Sequence, residues 1–208
     1  ERVWNAPPFG TINLHASLLP NLRGAAPIQW AIVHGLKETG VTTFSLQHAI
    51  DTGDILKQAK VSIAHSDTAS SLHDKLLSRG KELIVETLDG LCEGTLKSIP
   101  QEKILLLEQR LDAPKLNREN TRIDWSQSID NVRNRIRGLA PYPKAWTPTP
   151  FGDMKILSSE IEHDFMLDKP DVSIAPGTAI RHNQSLLVAC RNGWIRIGVV
   201  VPEGKKPM

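Results

Sequence analysis

At 208 residues, 40% hydrophobic and 23% charged, the chain has ordinary globular composition, enough for one large domain or two modest ones. Two cysteines, Cys92 and Cys190, exclude a disulfide framework and point to a reducing, cytoplasmic setting, and no apolar run is long enough to cross a bilayer. The net charge of +2 divides as −2 over residues 1–95 and +4 over residues 96–208, a bias that fits either a polyanion-binding face or a solvated helix and linker.

The opening ERVWNAPPFG has neither the basic nor the apolar region of a signal peptide. Residues 10–16, GTINLHA, alternate apolar and polar side chains and are expected to form a short strand ending in a loop. Pro27 opens a predicted helix, PIQWAIVHG, that ends at Gly35. VTTFSLQ (41–47) and ILKQAKVSI (55–63) read as strands, the first from its β-branched and aromatic content and the second from its alternation. From Thr68 to Leu91, Leu72, Leu76, Leu77, Leu83, Ile84, Leu88 and Leu91 recur at helical spacing, with Gly94 closing the segment. Strand, helix, strand, strand, helix is the pattern of an α/β domain.

Residues 95–117 lose all period and contain two prolines, so 96–117 is expected to be a linker. Beyond it, SQSIDNVRNRIRGL (126–139) predicts an amphipathic helix with Ile129, Val132, Ile136 and Leu139 on one face. The proline-rich PYPKAWTPTP is followed by four short strand-like runs, MKILSSEIE, GTAIRH, SLLVAC and GWIRIGVVV, with turns at Pro176-Gly177 and Asn192-Gly193. Such runs without long helices fit a small β-barrel or sandwich.

Asn13 and His15 are two apart in a strand and therefore share a face, at the carboxyl end where open α/β sheets bind ligands. A fixed amide donor beside an imidazole suits acyl-type transfer, in which a carbonyl oxygen gains negative charge. Asp51, in the loop of IDTGDIL, could orient or charge His15 and relay a proton through water. Taken singly, each residue is weak evidence, and a lone Asn-X-His is far more often structural or incidental than catalytic.

The full stretch FGTINLHASLLPNLRGAAPIQWAIVHGLKETGVTTFSLQHAIDTGDIL resembles the folate-dependent formyltransferases, and most closely their methionyl-tRNA branch. The family's Asn-X-His-X-Ser-Leu-Leu-Pro-X-X-(Arg/Lys)-Gly motif runs from Asn13 to Gly24, and its Asp-X-Gly acid is Asp51-Thr52-Gly53, 36 residues after His15. The resemblance implies a catalytic trio of Asn13, His15 and Asp51, and a folate site that includes Ser17, Leu18, Leu19 and Pro20. Arg23-Gly24-Ala25-Ala26-Pro27-Ile28-Gln29 favours the methionyl-tRNA branch over the purine-precursor branch. Arg122-Ile123-Asp124-Trp125 and Pro141-Tyr142-Pro143-Lys144-Ala145-Trp146 resemble that branch's second domain.

From the resemblance follow three parts: residues 1–95 as the C-terminal half of a Rossmann-like formyltransferase domain, 96–117 as a linker, and 118–208 as an OB-like barrel with a leading helix. Also implied are 10-formyltetrahydrofolate as formyl donor, methionyl-tRNA as acceptor with Lys115 and Arg118 on its phosphates, and a monomeric complete protein. The family carries a further α/β half before Glu1 and a segment after Met208, so this polypeptide alone is expected to be inactive or nearly so. A sugar-amine formyltransferase shares the motif, and a folate- or RNA-binding fragment without turnover is the non-enzymatic alternative.

The scattered histidines and carboxylates show no ligand-like clustering, so no metal is expected, and Gly10, Gly24 and Gly53 form no phosphate-binding fingerprint. Trp30, Trp125 and Trp146 are expected to pack in interfaces rather than stack on a ligand.

Overall fold

A computed structural model describes residues 6–8, 10–104, 109–163, 165 and 174–208; residues 105–108 of the expected linker lie outside this set. The chain forms two compact units, one of residues 1–31 and 36–115, the other of residues 32–35 and 116–208.

In the first unit, strands β1 (Ile12–His15), β3 (Glu38–Ser45) and β4 (Ile55–Ser62) make an antiparallel sheet in the order β1-β3-β4. A two-residue strand, β2 (Arg23–Gly24), and helix α1 (Pro27–Val33) lie between β1 and β3, and helix α2 (Ala69–Cys92) follows β4. Pairing of Asn13 with Phe44, Leu14 with Thr43 and His15 with Thr42 sorts the sheet into two faces. Leu14, Val41 and Thr43 face α2. There the Thr43 hydroxyl meets that of Thr87 at 2.8 Å, and Gly80 lets the helix approach so closely that a Cβ would lie 2.9 Å from Leu14 Cδ2.

A capping box between Thr68 and Ser71 starts α2, and Leu72, Leu76 and Leu83 are buried beneath it. The helical apolar pattern is wider than this buried stripe: Leu77 and Leu88 are 47% and 49% exposed. On the opposite face of the sheet, Leu19, Phe44 and Ile55 form a buried cluster, each such side chain contributing about 1.5–3 kcal/mol by burial.

The expected 96–117 segment adds three attachments within the first unit. Ile99 exchanges two main-chain hydrogen bonds with Ile55, Gln101–Lys103 form a 3-10 turn, and β5 (Asp112–Ala113) pairs in parallel with β2.

Among the described residues the second unit contains α3 (Arg118–Thr121), α4 (Ile129–Gly138) and seven strands: β6 (Ala145–Thr149), β7 (Gly152–Ile156), β8 (Ser159–Glu162), β9 (Ala179–His182), β10 (Ser185–Cys190), β11 (Gly193–Ile197) and β12 (Val200–Pro202). They form a four-stranded sheet, β8-β11-β10-β9, and a three-stranded sheet, β12-β7-β6. Two runs that read as single strands in sequence each divide in two. MKILSSEIE becomes β7 and β8, GWIRIGVVV becomes β11 and β12, and both cross from one sheet to the other at the break. The crossings touch: Gly198 N donates to Ser158 O at 3.0 Å, and a Cβ at Gly198 would lie 2.4 Å from Ser158 Oγ.

Ser128 caps α4, whose Val132 and Ile136 join Ile123, Leu139, Ala145, Ile156, Val188, Ile195 and Ile197 in the core of this unit. Among the described residues the two sheets do not join into a closed one. No helix among them is long and apolar enough to cross a membrane.

Candidate active site

The face of β1 away from α2 carries Asn13 and His15. His15 ends the strand and is 7% exposed; Asn13 is exposed, and its amide has no hydrogen-bond partner among the described residues. Both imidazole nitrogens of His15 are engaged. Nε2 lies 2.9 Å from the Leu22 carbonyl, and because a carbonyl only accepts, Nε2 carries the hydrogen. Nδ1 lies 3.6 Å from Asp51 Oδ2, beyond a hydrogen bond but within reach of a charge contact when the ring is protonated. The same Oδ2 accepts from the Gly24 amide at 2.9 Å.

Two loops build this arrangement. Leu22 (φ 58°) and Asp51 (φ 55°) both occupy the left-handed region, which leucine in particular rarely adopts. Gly53 sits so close to β3 that a Cβ would lie 1.6 Å from the Ser45 carbonyl oxygen. Gln101 spans the loops: Nε2 donates to the carbonyls of Asp51 (2.9 Å) and Gly53 (2.8 Å), and Oε1 accepts from Arg23 Nε at 3.0 Å and Nη2 at 2.5 Å. Burial, with Arg110 nearby, holds the Arg23 guanidinium below its ordinary value, partly offset by Glu102, Asp51 and Asp112. An exposed amide donor thus shares a strand face with a buried imidazole paired to a half-buried carboxylate, in loops pinned by hydrogen bonds to the main chain. That is equipment for stabilising charge on a carbonyl oxygen and for moving a proton.

A family model described as "Formyl transferase" matches residues 1–88, and "Formyl transferase, C-terminal domain" matches residues 115–208. The chain is 44% identical over 213 residues to the methionyl-tRNA formyltransferase of Bacteroides fragilis, covering 99% of this chain and 64% of that protein. The chain belongs to the formyltransferase family. It spans about 64% of the length of the curated relatives it matches. Among solved structures, an N-formyltransferase from Helicobacter canadensis in complex with folinic acid and dTDP-3-aminofucose shares the fold, with a TM-score of 0.69 and 22% identity, over 90% of this chain and 65% of that one. HypX from Aquifex aeolicus in complex with tetrahydrofolic acid does so with a TM-score of 0.68 and 20% identity, over 95% and 33%.

Within this formyltransferase chain the Ser17–Pro20 segment is fastened from the inside. Ser17 is fully buried and its hydroxyl donates to Asn21 O at 2.6 Å, while Leu19 is buried in the cluster with Phe44 and Ile55. Thr42 Oγ1 accepts from Leu19 N and donates to Ser17 O, and Gln58 Nε2 donates to Leu19 O at 2.8 Å. The side chains of Ser17 and Leu19 therefore hold the loop, and their main-chain polar groups are bonded inward as well.

Lys115 is exposed at the end of the first unit. Arg118, 64% exposed in the second, pairs with Asp153 and lies 4.0 Å over the Trp146 ring, whose Nε1 donates to Arg118 O. Trp30 Nε1 donates to Pro114 O, and Trp125 Nε1 to Thr147 Oγ1, so both indoles are tied to protein partners. No group of three or more metal-binding side chains occurs among the described residues.

Sequence reasoning missed Gln101, Thr42 and Gln58. Gln101 gave no signal because its partners lie 48, 50 and 78 residues away. Thr42 and Gln58 carried one, since both fall on the Asn13–His15 face of strands recognised by their composition and alternation.

Proposed function

We propose that this chain carries the reacting centre of an enzyme that transfers a formyl group from 10-formyltetrahydrofolate to the α-amine of methionyl-tRNA, giving initiator N-formylmethionyl-tRNA. One observation supports the reading: His15 faces Asp51, with Asn13 on the same face of β1, in a chain 44% identical over 99% of its length to a methionyl-tRNA formyltransferase. The residues suit the donor, since an exposed amide without a partner among the described residues is what a formyl oxygen requires.

Bound 10-formyltetrahydrofolate supplies the formyl carbon. Asn13 donates a hydrogen bond where negative charge develops. His15, fixed by Leu22 and Asp51, adds positive charge beside that position when protonated. Asp51 keeps the ring oriented and relays the amine's proton through water toward the tetrahydrofolate nitrogen, which leaves as its bond to the formyl carbon breaks and the amine's bond to that carbon forms. The segment Ser17, Leu18, Leu19 and Pro20 borders the folate.

The division of labour follows the same reading: residues 1–95 as half of the catalytic domain, 96–117 as a connecting segment, and 118–208 as an OB-like barrel contacting tRNA. The paired crossings near Ser158 and Gly198 support the barrel, because strands that change sheets at touching corners are how small barrels turn. Lys115 and Arg118 contact tRNA phosphates. The complete protein works as a cytoplasmic monomer.

The test is a formylation assay on the full-length protein with methionyl-tRNA and with nucleotide-linked amino sugars, each with 10-formyltetrahydrofolate. Turnover of the aminoacylated tRNA is expected. Turnover of the sugar alone, or folate binding without transfer to either, would overturn the proposal.

A further inference from the structure

We infer that Gln101 is a positioning residue for the His15–Asp51 pair, a role that rests on the formyl-transfer reading above. Gln101 is 1% exposed and lies outside the motifs that mark the site, in the aperiodic stretch after α2. Its amide is used at both ends. Two N–H bonds hold the carbonyls of Asp51 and Gly53, and the oxygen holds two N–H groups of Arg23.

The residues it joins are those that set the pair. Asp51 carries the carboxylate facing His15. Arg23 lies between Leu22, whose carbonyl fixes His15 Nε2, and Gly24, whose amide fixes Asp51 Oδ2. One side chain therefore clamps the loop bearing the acid to the loop bearing both of the pair's main-chain anchors.

The chemistry of the clamp selects glutamine. Only a primary amide donates two hydrogen bonds from one end and accepts from the other. Glutamate at this position could still receive Arg23 but could give nothing to the two carbonyls. Methionine fills a similar volume and does neither. Gln101 is itself held by its chain neighbours, since Ile99 and Ile55 exchange hydrogen bonds at 2.8 and 2.9 Å at the start of β4. Asp51 also needs this support, because its left-handed backbone is not a conformation that a free loop holds by default.

The test uses the full-length protein with Gln101→Glu, Gln101→Met, Asp51→Asn and the Gln101→Glu/Asp51→Asn double variant. Thermal unfolding establishes that each is folded, steady-state kinetics separate kcat from KM, and 15N spectra of labelled histidine report the His15 ring. Misplacing a catalytic group from a distance costs up to about 10²-fold, so kcat should fall about 10–100-fold in both Gln101 variants, with KM for either substrate within about 3-fold. The His15 ring resonances should move. In the Asp51→Asn background the second substitution should cost about 2-fold or less, because residues acting through one another are not additive.

Folded Gln101→Glu with wild-type kcat and unmoved His15 resonances would overturn the inference. Wild-type turnover by Asp51→Asn would instead remove the formyl-transfer reading on which it stands. Independently of any variant, the Gln101 Nε2 protons of the wild-type protein should exchange slowly with solvent; rapid exchange would also overturn the clamp.

Discussion

The main-chain amide of Gly24 donates to Asp51 Oδ2 at 2.9 Å across 27 residues of sequence. The same oxygen faces His15 Nδ1, so the carboxylate's position is set by backbone on one side and read by an imidazole on the other. Gly24 can approach because it has no side chain: its φ is +124°, and a Cβ would lie 2.4 Å from the Ala113 carbonyl oxygen.

Asp51→Asn and Asp51→Ala should therefore differ in stability while both lose activity. Asparagine keeps an oxygen for the Gly24 amide but removes the charge beside His15. Alanine also leaves that amide without its acceptor, at a cost of about 1–3 kcal/mol. Loss of a preorganised electrostatic group costs about 10²–10³ in rate, so kcat of both variants should fall into that range. Urea unfolding should separate alanine from asparagine, and equal stability of the two would contradict the anchoring role of Gly24.

Asn13→Ala isolates the donor. Asn13 is exposed and its amide is unpartnered among the described residues, so stability should stay within about 0.5 kcal/mol of wild type. The rate should fall about 10²–10³-fold if the amide donates to the developing oxyanion. Initial formylation rates beside a thermal melt check both halves, and a variant with full turnover would remove Asn13 from the chemistry.

What the sequence disclosed follows from periodicity. β1, β4 and α2 announce themselves by spacing, and the two-residue interval alone puts Asn13 and His15 on one face. Period says nothing about elements of two residues, so β2 and β5 were invisible, and nothing local ties Gln101 to partners as far as 78 residues away. Nor does alternation mark where a strand leaves one sheet for another. Runs that read as one strand proved to be β7 with β8 and β11 with β12, because each break is only two residues long. The charge bias fell on a stretch that includes Arg118 and Arg122 but not on their setting, which is the ring of Trp146, 4.0 and 5.8 Å from their guanidinium carbons.

Gly53→Ala should be among the most damaging small substitutions in the first unit. The added Cβ would meet the Ser45 carbonyl oxygen at 1.6 Å, so either β3 or the 51–53 loop must move. A loss of about 3 kcal/mol or more is expected, in the tail reserved for backbone and packing conflicts. Denaturant titration measures it, and a loss under about 0.5 kcal/mol, the range of a neutral surface change, would show that the loop relaxes freely.

The two thiols should be chemically distinct. Cys92 is exposed, whereas burial pushes the Cys190 thiol up to about 12. The thiolate is the reactive form. At pH 8 a disulfide reagent should therefore titrate Cys92 in the native chain and reach Cys190 only after denaturation. Stoichiometric labelling of both under native conditions would mean that the second unit's core opens readily.

Asp67 supplies the pH dependence. Burial opposes its charged form, but hydrogen bonds from Lys75, the Ala64 amide and Ser71 outweigh burial and hold the carboxyl below its ordinary value of 3.8. A depressed folded value means that the stabilisation is present above the unfolded value and is lost as pH falls through the folded one. Asp67→Asn removes the charge-assisted bonds at the start of α2, worth about 1.5–3 kcal/mol. Measured by urea unfolding at pH 7, the variant should be less stable by that amount. The gap should hold down to about pH 5 and close as the wild-type carboxyl protonates below pH 4. A gap that is unchanged between pH 7 and pH 3 would assign the loss to side-chain shape instead of charge.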